Sequence, residues 1–291
     1  MSRTLISIIG GLSGMLGWGT SDFFANQASD SVGHTKTFFW SQIAGLTLMS
    51  LLVFFLSSEL SSFSPLIIFL IIVTGIAYAL GYLFFYKGFE IGNVSVVSAV
   101  INLQNLFIIG ISYFVFKQSL TTFQIPAIIL LIIGILLVSV DFKNITRGTV
   151  SLVKGVKETI GAAAMFGIFF WPINEYVVER VDWVAASFAV KLVAVIFVYL
   201  VSKITKKNLK LTKSSIKMKK TLIIVGILEA LAVIGVSYGV SFGDAIIVGP
   251  ISSALTVVTV TLAMIFLKEK ITKFQGIGIL LTIIGIVVTA F

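Results

Sequence analysis

The sequence predicts an all-α polytopic membrane protein of ten transmembrane helices, arranged as two five-helix repeats of inverted topology. Three observations predict this fold: the composition, the spacing of long apolar segments, and an internal repeat. Hydrophobic residues make up 58% of the 291 residues, charged residues make up 11%, and the mean hydropathy is +1.11. A single soluble core cannot bury so much apolar surface, so the composition indicates a membrane protein.

The apolar segments follow one another with short connections. About 20 apolar residues are enough to cross the bilayer hydrocarbon, because an α-helix rises about 1.5 Å per residue. We number the predicted membrane-spanning segments helices 1 to 10. They cover residues 4–26, 36–57, 65–88, 94–116, 122–141, 158–178, 182–202, 220–241, 245–267 and 273–290.

The internal repeat defines the halves. Residues 92–139 align without a gap on residues 243–290 at a constant offset of 151, so that Lys117 matches Lys268 and Gln124 matches Gln275. The predicted domains are a first repeat at 1–141, a cytoplasmic linker at 142–157 and a second repeat at 158–291. Five helices per repeat is an odd number, so the second repeat enters the membrane upside down relative to the first.

The basic residues predict the orientation. Seventeen of the 21 Lys and Arg residues fall on one side of this topology, including eight lysines between Lys203 and Lys220. Loops rich in Lys and Arg stay in the cytoplasm, so we expect both termini on the extracytoplasmic side of the cell membrane. The net charge of +9 is therefore interpreted as a topology signal, with the lipid bilayer as a partner and no nucleic acid.

Four ionisable residues lie within predicted helices: Asp22, Glu175, Lys191 and Glu229. Such a residue costs about 2.5–3.5 kcal/mol on insertion scales, so each needs a partner or a cavity. Lys191 and Glu229 lie at similar depths in helices 7 and 8. They are predicted to form an ion pair or two sides of a substrate site; a buried pair that only fixes helix packing is the alternative.

Further candidate substrate-binding residues come from polar or aromatic stripes. Trp18 precedes Asp22 by four residues in helix 1, and Trp171 precedes Glu175 by four in helix 6, which places each pair on one helix face. The two tryptophans are predicted cavity walls or gates, although Trp is also the ordinary interfacial anchor. Helices 3, 4 and 9 add Tyr78, Tyr82, Asn102, Asn105, Ser253 and Thr256, which would contact a polar solute or join helices.

Enzymatic chemistry is not supported. The string Gly235-Val236-Ser237-Tyr238-Gly239 matches the G-x-S-x-G pattern of serine hydrolases, but it lies within a helix and not at a strand-to-helix turn. The chain's one histidine, His34, falls on the opposite side of the membrane. No P-loop and no metal-ligand spacing occur in the sequence, so no catalytic residue, metal or cofactor is predicted.

The architecture and a few short strings resemble one known group. The Gly17-Trp18-Gly19 string in helix 1 and the closing Lys268-Glu269-Lys270 turn, followed by Gln275, Gly276 and Gly285, are similar to the drug/metabolite transporter superfamily in its EamA-type branch. Glu269 matches the acidic residue of that family's turn between helices 9 and 10, where the first repeat has Gln118. The resemblance implies a cavity lined by helices 1, 3, 4, 6, 8 and 9, with helices 5 and 10 peripheral. It also implies transport of amino acids or related metabolites, usually export.

The predicted function is therefore a secondary transporter that moves a small polar or amphipathic metabolite by alternating access around a midplane site. Glu229 or Asp22 is the candidate for coupling to protons, because a carboxylate that changes protonation between the two sides can link flux to a proton gradient. Two alternatives stay open. One is a facilitative channel, and the other is a membrane scaffold or receptor that transports nothing.

Overall fold

The computed structural model describes residues 2–56, 63–115, 117, 121–140, 151–178, 180–212 and 214–289. Within these ranges ten helical elements follow the predicted order, and Val140 and Leu152 form an isolated antiparallel bridge between α5 and α6. The first five elements are α1 (Arg3–Val32), α2 (His34–Leu56), α3 (Pro65–Ile91), α4 (Val94–Val100 and Leu103–Phe114) and α5 (Gln124–Ser139). The second five are α6 (Val156–Ala164, π-helical Met165–Phe170 and Trp171–Val178), α7 (Trp183–Ile204), α8 (Ile216–Phe242), α9 (Ala245–Ser253, Leu255–Leu262 and π-helical Ala263–Leu267) and α10 (Lys273–Thr289).

Seven of these helices, α2 to α4 and α6 to α9, are long and apolar enough to cross a membrane. The helices α5 and α10 are shorter, with 16 and 17 residues. The helix α1 has 30 residues, but its glycines, serines, Asp22 and Asn26 lower its hydropathy. These polar and small residues are buried against other helices, so α1 does not need a wholly apolar surface.

Local capping explains why α5 and α10 begin where they do. The backbone N–H of Thr121 donates to the Gln124 side chain at 3.0 Å, and the N–H of Gln124 donates back to the Thr121 hydroxyl at 3.3 Å. Thr272 and Gln275 form the same reciprocal pair at 2.9 and 3.2 Å. This capping box satisfies N–H groups that the first turn of a helix leaves free. The identical Thr and Gln of the two repeats are therefore helix-start signals.

The repeats interlock through glycines. The first helix of each repeat packs on the third helix of the other, so α1 contacts α8 and α6 contacts α3. A Cβ placed on Gly10 would lie 2.6 Å from Cα of Gly239, and one on Gly88 would lie 2.7 Å from the Thr159 hydroxyl. At these distances the absence of a side chain allows the helices to touch. The peripheral helices α5 and α10 pack on each other in the same way through Gly134 and Gly285.

The two ends of the bundle differ in packing. We call the end with the connections α1–α2, α3–α4, α5–α6, α7–α8 and α9–α10 the lysine-rich end, and the end with Arg3 and Asp244 the terminal end. Toward the lysine-rich end, every residue of Val94–Val100 is buried, whereas Leu103–Phe114, in the other half of α4, has no buried residue. The aromatic side chains of Phe38, Tyr86 and Phe89 fill the lysine-rich half. The bundle is therefore closed at the lysine-rich end, whereas the half of α4 toward the terminal end is less buried.

Side-chain contacts hold the lysine-rich end together. The Trp40 indole N–H donates to the carbonyl of Leu209 at 2.8 Å, which ties the α7–α8 connection to α2. The Glu269 carboxylate accepts from the backbone N–H of Ser95 at 3.0 Å and from the Ser95 hydroxyl, which ties the α9–α10 turn to the start of α4. The matching Gln118 of the first repeat lies outside the described residues.

Candidate functional site

Four polar side chains meet inside the bundle, each at most 4% exposed: Gln42 of α2, Tyr78 of α3, Lys191 of α7 and Glu229 of α8. We call them the tetrad. Lys191 Nζ forms an ion pair with Glu229 Oε2, and it donates to Gln42 Oε1 at 2.9 Å and to the Tyr78 hydroxyl at 3.0 Å. The Tyr78 hydroxyl donates to Glu229 Oε1 at 2.7 Å. Each charge thus has its counter-charge and further hydrogen bonds, as a buried ion pair requires.

The tetrad has one unused donor. Gln42 Nε2 is buried, and it has no hydrogen-bond partner among the described residues. Its Oε1 faces the Lys191 ammonium, which fixes the orientation of the amide, because the reverse orientation would place two donors together. The tetrad therefore contains a hydrogen-bond donor, the amide nitrogen of Gln42, for which its own atoms provide no acceptor.

The tetrad consists of two pairs of equivalent positions in the repeats. Tyr78 and Glu229 are separated by 151 residues, the repeat offset. Gly75 and Gly226 are also separated by the repeat offset of 151. A Cβ on Gly75 would meet the Val190 carbonyl and the Val193 side chain, and one on Gly226 would meet the Ser41 carbonyl and the Ala44 side chain. Val190 and Ser41 are therefore equivalent positions.

The residue after Ser41 is Gln42, and the residue after Val190 is Lys191, so these two are equivalent as well. Residues that correspond between repeats and also touch lie near the axis that relates the repeats.

A cavity of about 60 Å³ adjoins the tetrad on the side of the terminal end. Tyr78 and Lys191 contribute to its wall, whereas Gln42 and Glu229 do not. The indole rings of Trp18 and Trp171 meet edge to face in the wall, with ring centroids 6.4 Å apart. The other wall residues are Phe170, Asn174, Ser187, Val190, Val233, Val236 and Ser237.

This wall differs from the lining that the family resemblance implies. It is formed by α1, α3, α6, α7 and α8, so α7 takes part through Lys191, whereas no described side chain of α4 or α9 does. A direct hydrogen bond joins α4 and α9. Asn102 Nδ2 donates to the Thr256 hydroxyl at 2.9 Å, and that hydroxyl donates to the carbonyl of Ser98 at 2.9 Å. Both helices are interrupted here, α4 between Val100 and Leu103 and α9 between Ser253 and Leu255.

The structure separates Asp22 from the cavity wall. Asp22 is 6% exposed and lies within electrostatic range of Glu229, toward the lysine-rich end from Trp18. Its neighbours on α1 are fixed by bonds to other helices: Ser21 donates to the carbonyl of Val225 at 3.0 Å, and Asn26 donates to the carbonyl of Phe89 at 2.9 Å. Asp22 therefore lies in the closed half, on the side of the tetrad that faces the lysine-rich end.

Four other candidates lie away from the cavity. Glu175 is exposed near the end of α6, and it does not line the cavity, although it follows Trp171 by about one helical turn. Tyr82 packs among Phe38, Tyr86 and Phe166 on the closed side. Asn105 and Ser253 are half-buried, and neither lines the cavity.

Sequence reasoning missed several members of the site. Gln42 was detectable, because an amide in the middle of an apolar helix needs a partner just as Asn102 does. Asn174, Ser187 and Ser237 line the cavity, but isolated polar residues in apolar helices carry no distinctive spacing. Ser237 belongs to the string that resembles a hydrolase motif, and in the structure it is a cavity wall residue.

Comparisons with known proteins identify the family. The model of the EamA-like transporter family matches residues 5–140 and 154–291. The chain belongs to the EamA-like transporter family. It is thus a multi-pass membrane transporter of the drug/metabolite transporter type, with a small molecule as its substrate and the lipid bilayer as its surroundings.

Solved structures agree with the fold of this EamA-like transporter, and 28 of their chains match it. One of them, whose title is only "Crystal structure of protein", aligns with a TM-score of 0.68 over 99% of this chain and 98% of that chain. The sequence identity is 16%, so the likeness concerns the fold alone. No curated protein matches the chain.

Proposed function

We propose that this EamA-like transporter is a secondary active transporter that exports small metabolites, such as amino acids or related polar or amphipathic solutes, across the cytoplasmic membrane by alternating access. The observation that carries this proposal is the tetrad, a buried and charge-balanced cluster beside a cavity and close to the axis between the repeats. A site near that axis is equally distant from both ends of the bundle, so rocking of the repeats exposes it to either side in turn.

The difference between the two ends supports alternating access over a channel. A channel needs a continuous polar path, whereas the lysine-rich half of this bundle is filled by Phe38, Tyr86 and Phe89. A scaffold without transport would have no reason to keep a cavity between its halves beside a buried ion pair. We also propose that the lysine-rich end faces the cytoplasm and that both termini lie outside, so that this conformation is the one open toward the exterior.

Proton coupling is part of the proposal. Glu229 and Asp22 are buried carboxylates on facing helices, and Asp22 lies closer to the lysine-rich end than the cavity wall does. A carboxylate that binds a proton when the site faces one side and releases it on the other side links solute flux to the proton gradient.

Flux measurements test the proposal. The purified protein is reconstituted into liposomes and tested with a panel of amino acids and lipophilic cations, with and without an imposed proton gradient. We expect saturable flux of one solute class, and we expect the Glu229→Gln variant to lose the response to the gradient. The matched control is Glu158→Gln, which neutralises a carboxylate in the first turn of α6, remote from the tetrad.

Two outcomes would contradict the proposal. Flux that never saturates, together with single-channel conductance, would indicate a channel. An absence of flux for every solute of the panel under both conditions would favour the scaffold.

A further inference from the structure

We propose that the transported solute carries a carboxylate, which takes the place of Glu229 at the Lys191 ammonium while Glu229 binds a proton. One proton would then accompany each solute carboxylate in the same direction, so export would follow the outward gradient of the solute and carry a proton out with it. This inference rests on the proposed transport function and names the chemical group that the same site recognises.

The first argument is the position of the two charges relative to the cavity. Lys191 lines the cavity wall, and Glu229 lies behind it. Among the described wall residues Lys191 is the one charged side chain, and Asn174, Ser187 and Ser237 supply hydrogen-bond donors on the same wall. A solute that enters the cavity therefore meets a cation and several donors before it meets a carboxylate. This arrangement favours an anionic group over an ammonium group.

The second argument is the hydrogen-bond balance of the tetrad. Gln42 Nε2 has no acceptor among the described residues, although it is completely buried. A buried donor without a partner is costly, and an additional acceptor relieves that cost. Gln42 lies behind the cavity wall, so this donor becomes available to a carboxylate that takes the place of Glu229 at Lys191.

The third argument is charge conservation. Lys191 and Glu229 are neutral as a pair, and Asp22, the other buried carboxylate near Glu229, keeps its charge state in this scheme. A second carboxylate at Lys191 would therefore leave one uncompensated negative charge. A proton on Glu229 removes that charge. The solute contributes −1 and the proton contributes +1, so the loaded site has the same net charge as the empty one. Movement of the loaded site across the membrane is then electroneutral.

The fourth argument concerns the rest of the solute. Trp18, Trp171 and Phe170 form the apolar part of the wall, on the side of the terminal end. Aromatic rings in an edge-to-face arrangement accept another ring or an apolar body among them. The solute class is thus a monocarboxylate with an aromatic or apolar body, bound with its carboxylate toward Lys191.

A matched set of three solutes tests this inference in proteoliposomes that contain a pH-sensitive dye. N-acetylphenylalanine, phenylalanine and phenylalaninamide share one body, but they present a carboxylate alone, both charged groups, and an ammonium alone. We expect N-acetylphenylalanine to be transported at least about tenfold faster than phenylalaninamide, because Glu229 stays paired with Lys191 when phenylalaninamide enters, and the ammonium of this solute then has no counter-charge beside Lys191. One proton should enter with each carboxylate, and a potassium-valinomycin clamp should not change the rate.

Two variants separate recognition from coupling. With Glu229→Gln, the solute carboxylate should still be transported, and the ratio of protons to solute should fall from one to zero. If this variant fails to fold, the double variant Lys191→Gln with Glu229→Gln avoids an uncompensated buried charge. The double variant should lose the preference for the carboxylate. Glu158→Gln should keep both the preference and the ratio.

The outcomes distinguish this inference from the proposed function. If phenylalaninamide is transported as fast as N-acetylphenylalanine, the protein is a transporter, but the solute carboxylate is not what its site recognises. Carboxylate transport without protons would overturn the exchange at Lys191. If none of the three solutes is transported or binds to the purified protein, the inference is wrong, and the broader panel of solutes then decides whether the protein is a transporter.

Discussion

The two repeats place different residues at equivalent positions of the tetrad. The first repeat contributes the neutral side chains Gln42 and Tyr78, and the second contributes the charged side chains Lys191 and Glu229. The same substitution of charge for a neutral polar group recurs elsewhere, with Asn93 against Asp244 and Gln118 against Glu269 at the offset of 151. The backbone around the tetrad is alike in both halves, because Gly75 and Gly226 make equivalent helix contacts. The fold therefore specifies the positions, and the divergence of the second repeat supplies the charges.

The largest expected effect comes from removal of one charge in the second repeat. The Glu229→Gln variant leaves the Lys191 ammonium buried without its counter-charge, which should lower the free energy of unfolding by about 3–5 kcal/mol. The double variant with Lys191→Gln makes the second repeat neutral like the first, and it should recover most of that loss. Denaturant titration of the purified protein measures both. A single variant as stable as the double variant would show that the ion pair does not stabilise the site.

A smaller effect is expected in the first repeat. Tyr78→Phe removes the hydroxyl that donates to Glu229 at 2.7 Å, but the ion pair stays. A hydrogen bond to a charged group contributes about 1.5–3 kcal/mol, and we expect a loss within this range in the same titration. If Tyr78→Phe costs more than Glu229→Gln, the assignment of the dominant interaction to the charged repeat is wrong.

The equivalent glycines Gly88 and Gly239 offer a comparison of packing alone. A Cβ at Gly239 would meet Cα of Gly10 at 2.9 Å, and one at Gly88 would meet the Thr159 hydroxyl at 2.7 Å. A backbone atom cannot move aside, whereas a threonine side chain can rotate. We expect Gly239→Ala to cost about 1–3 kcal/mol through overpacking and Gly88→Ala to cost less. Gly110→Ala, where nothing lies within 4 Å, is the control. Equal losses at all three positions would contradict this explanation.

The smallest effect is expected at the exposed ion pair of the terminal end. Arg3 and Asp244 are 2.9 Å apart, and their side chains are 71% and 36% exposed. Asp244→Asn copies the residue of the first repeat, and it should change the free energy of unfolding by less than about 1 kcal/mol, because solvent screens such pairs. If Asp244→Asn lowers the free energy of unfolding as much as Glu229→Gln does, solvent exposure does not determine how strongly the two ion pairs stabilise the protein.

The architecture was predictable from the sequence because long apolar segments, the constant offset and the distribution of lysines each report on the whole chain. The helix starts that follow Thr121 and Thr272 were predictable in principle as well, because their capping boxes are local. It was harder to predict which face of a helix points into the bundle. Glu175 shares the four-residue spacing of Asp22, yet it is exposed, because it lies in the last turn of α6, beyond the cavity that Trp171 and Asn174 line.

The tetrad itself depends on contacts between helices that are far apart in the sequence. Spacing placed Lys191 and Glu229 at one depth, but only the packing of α2 and α3 against them brings in Gln42 and Tyr78. The separation of Lys191 in the wall from Glu229 behind it is a property of side-chain positions, and no sequence pattern carries it.

Accessibility of two engineered cysteines tests alternating access most directly. The chain contains no cysteine, so single substitutions need no prior removal. Ser237 lines the cavity, and Ser29 is completely buried in the closed lysine-rich half. A membrane-impermeant maleimide should label Ser237→Cys from the side of the terminal end and leave Ser29→Cys unlabelled. A transported solute should slow the first reaction and make Ser29→Cys reactive from the opposite side. If neither labelling rate changes with any transported solute, the two ends do not open alternately, and the account is contradicted.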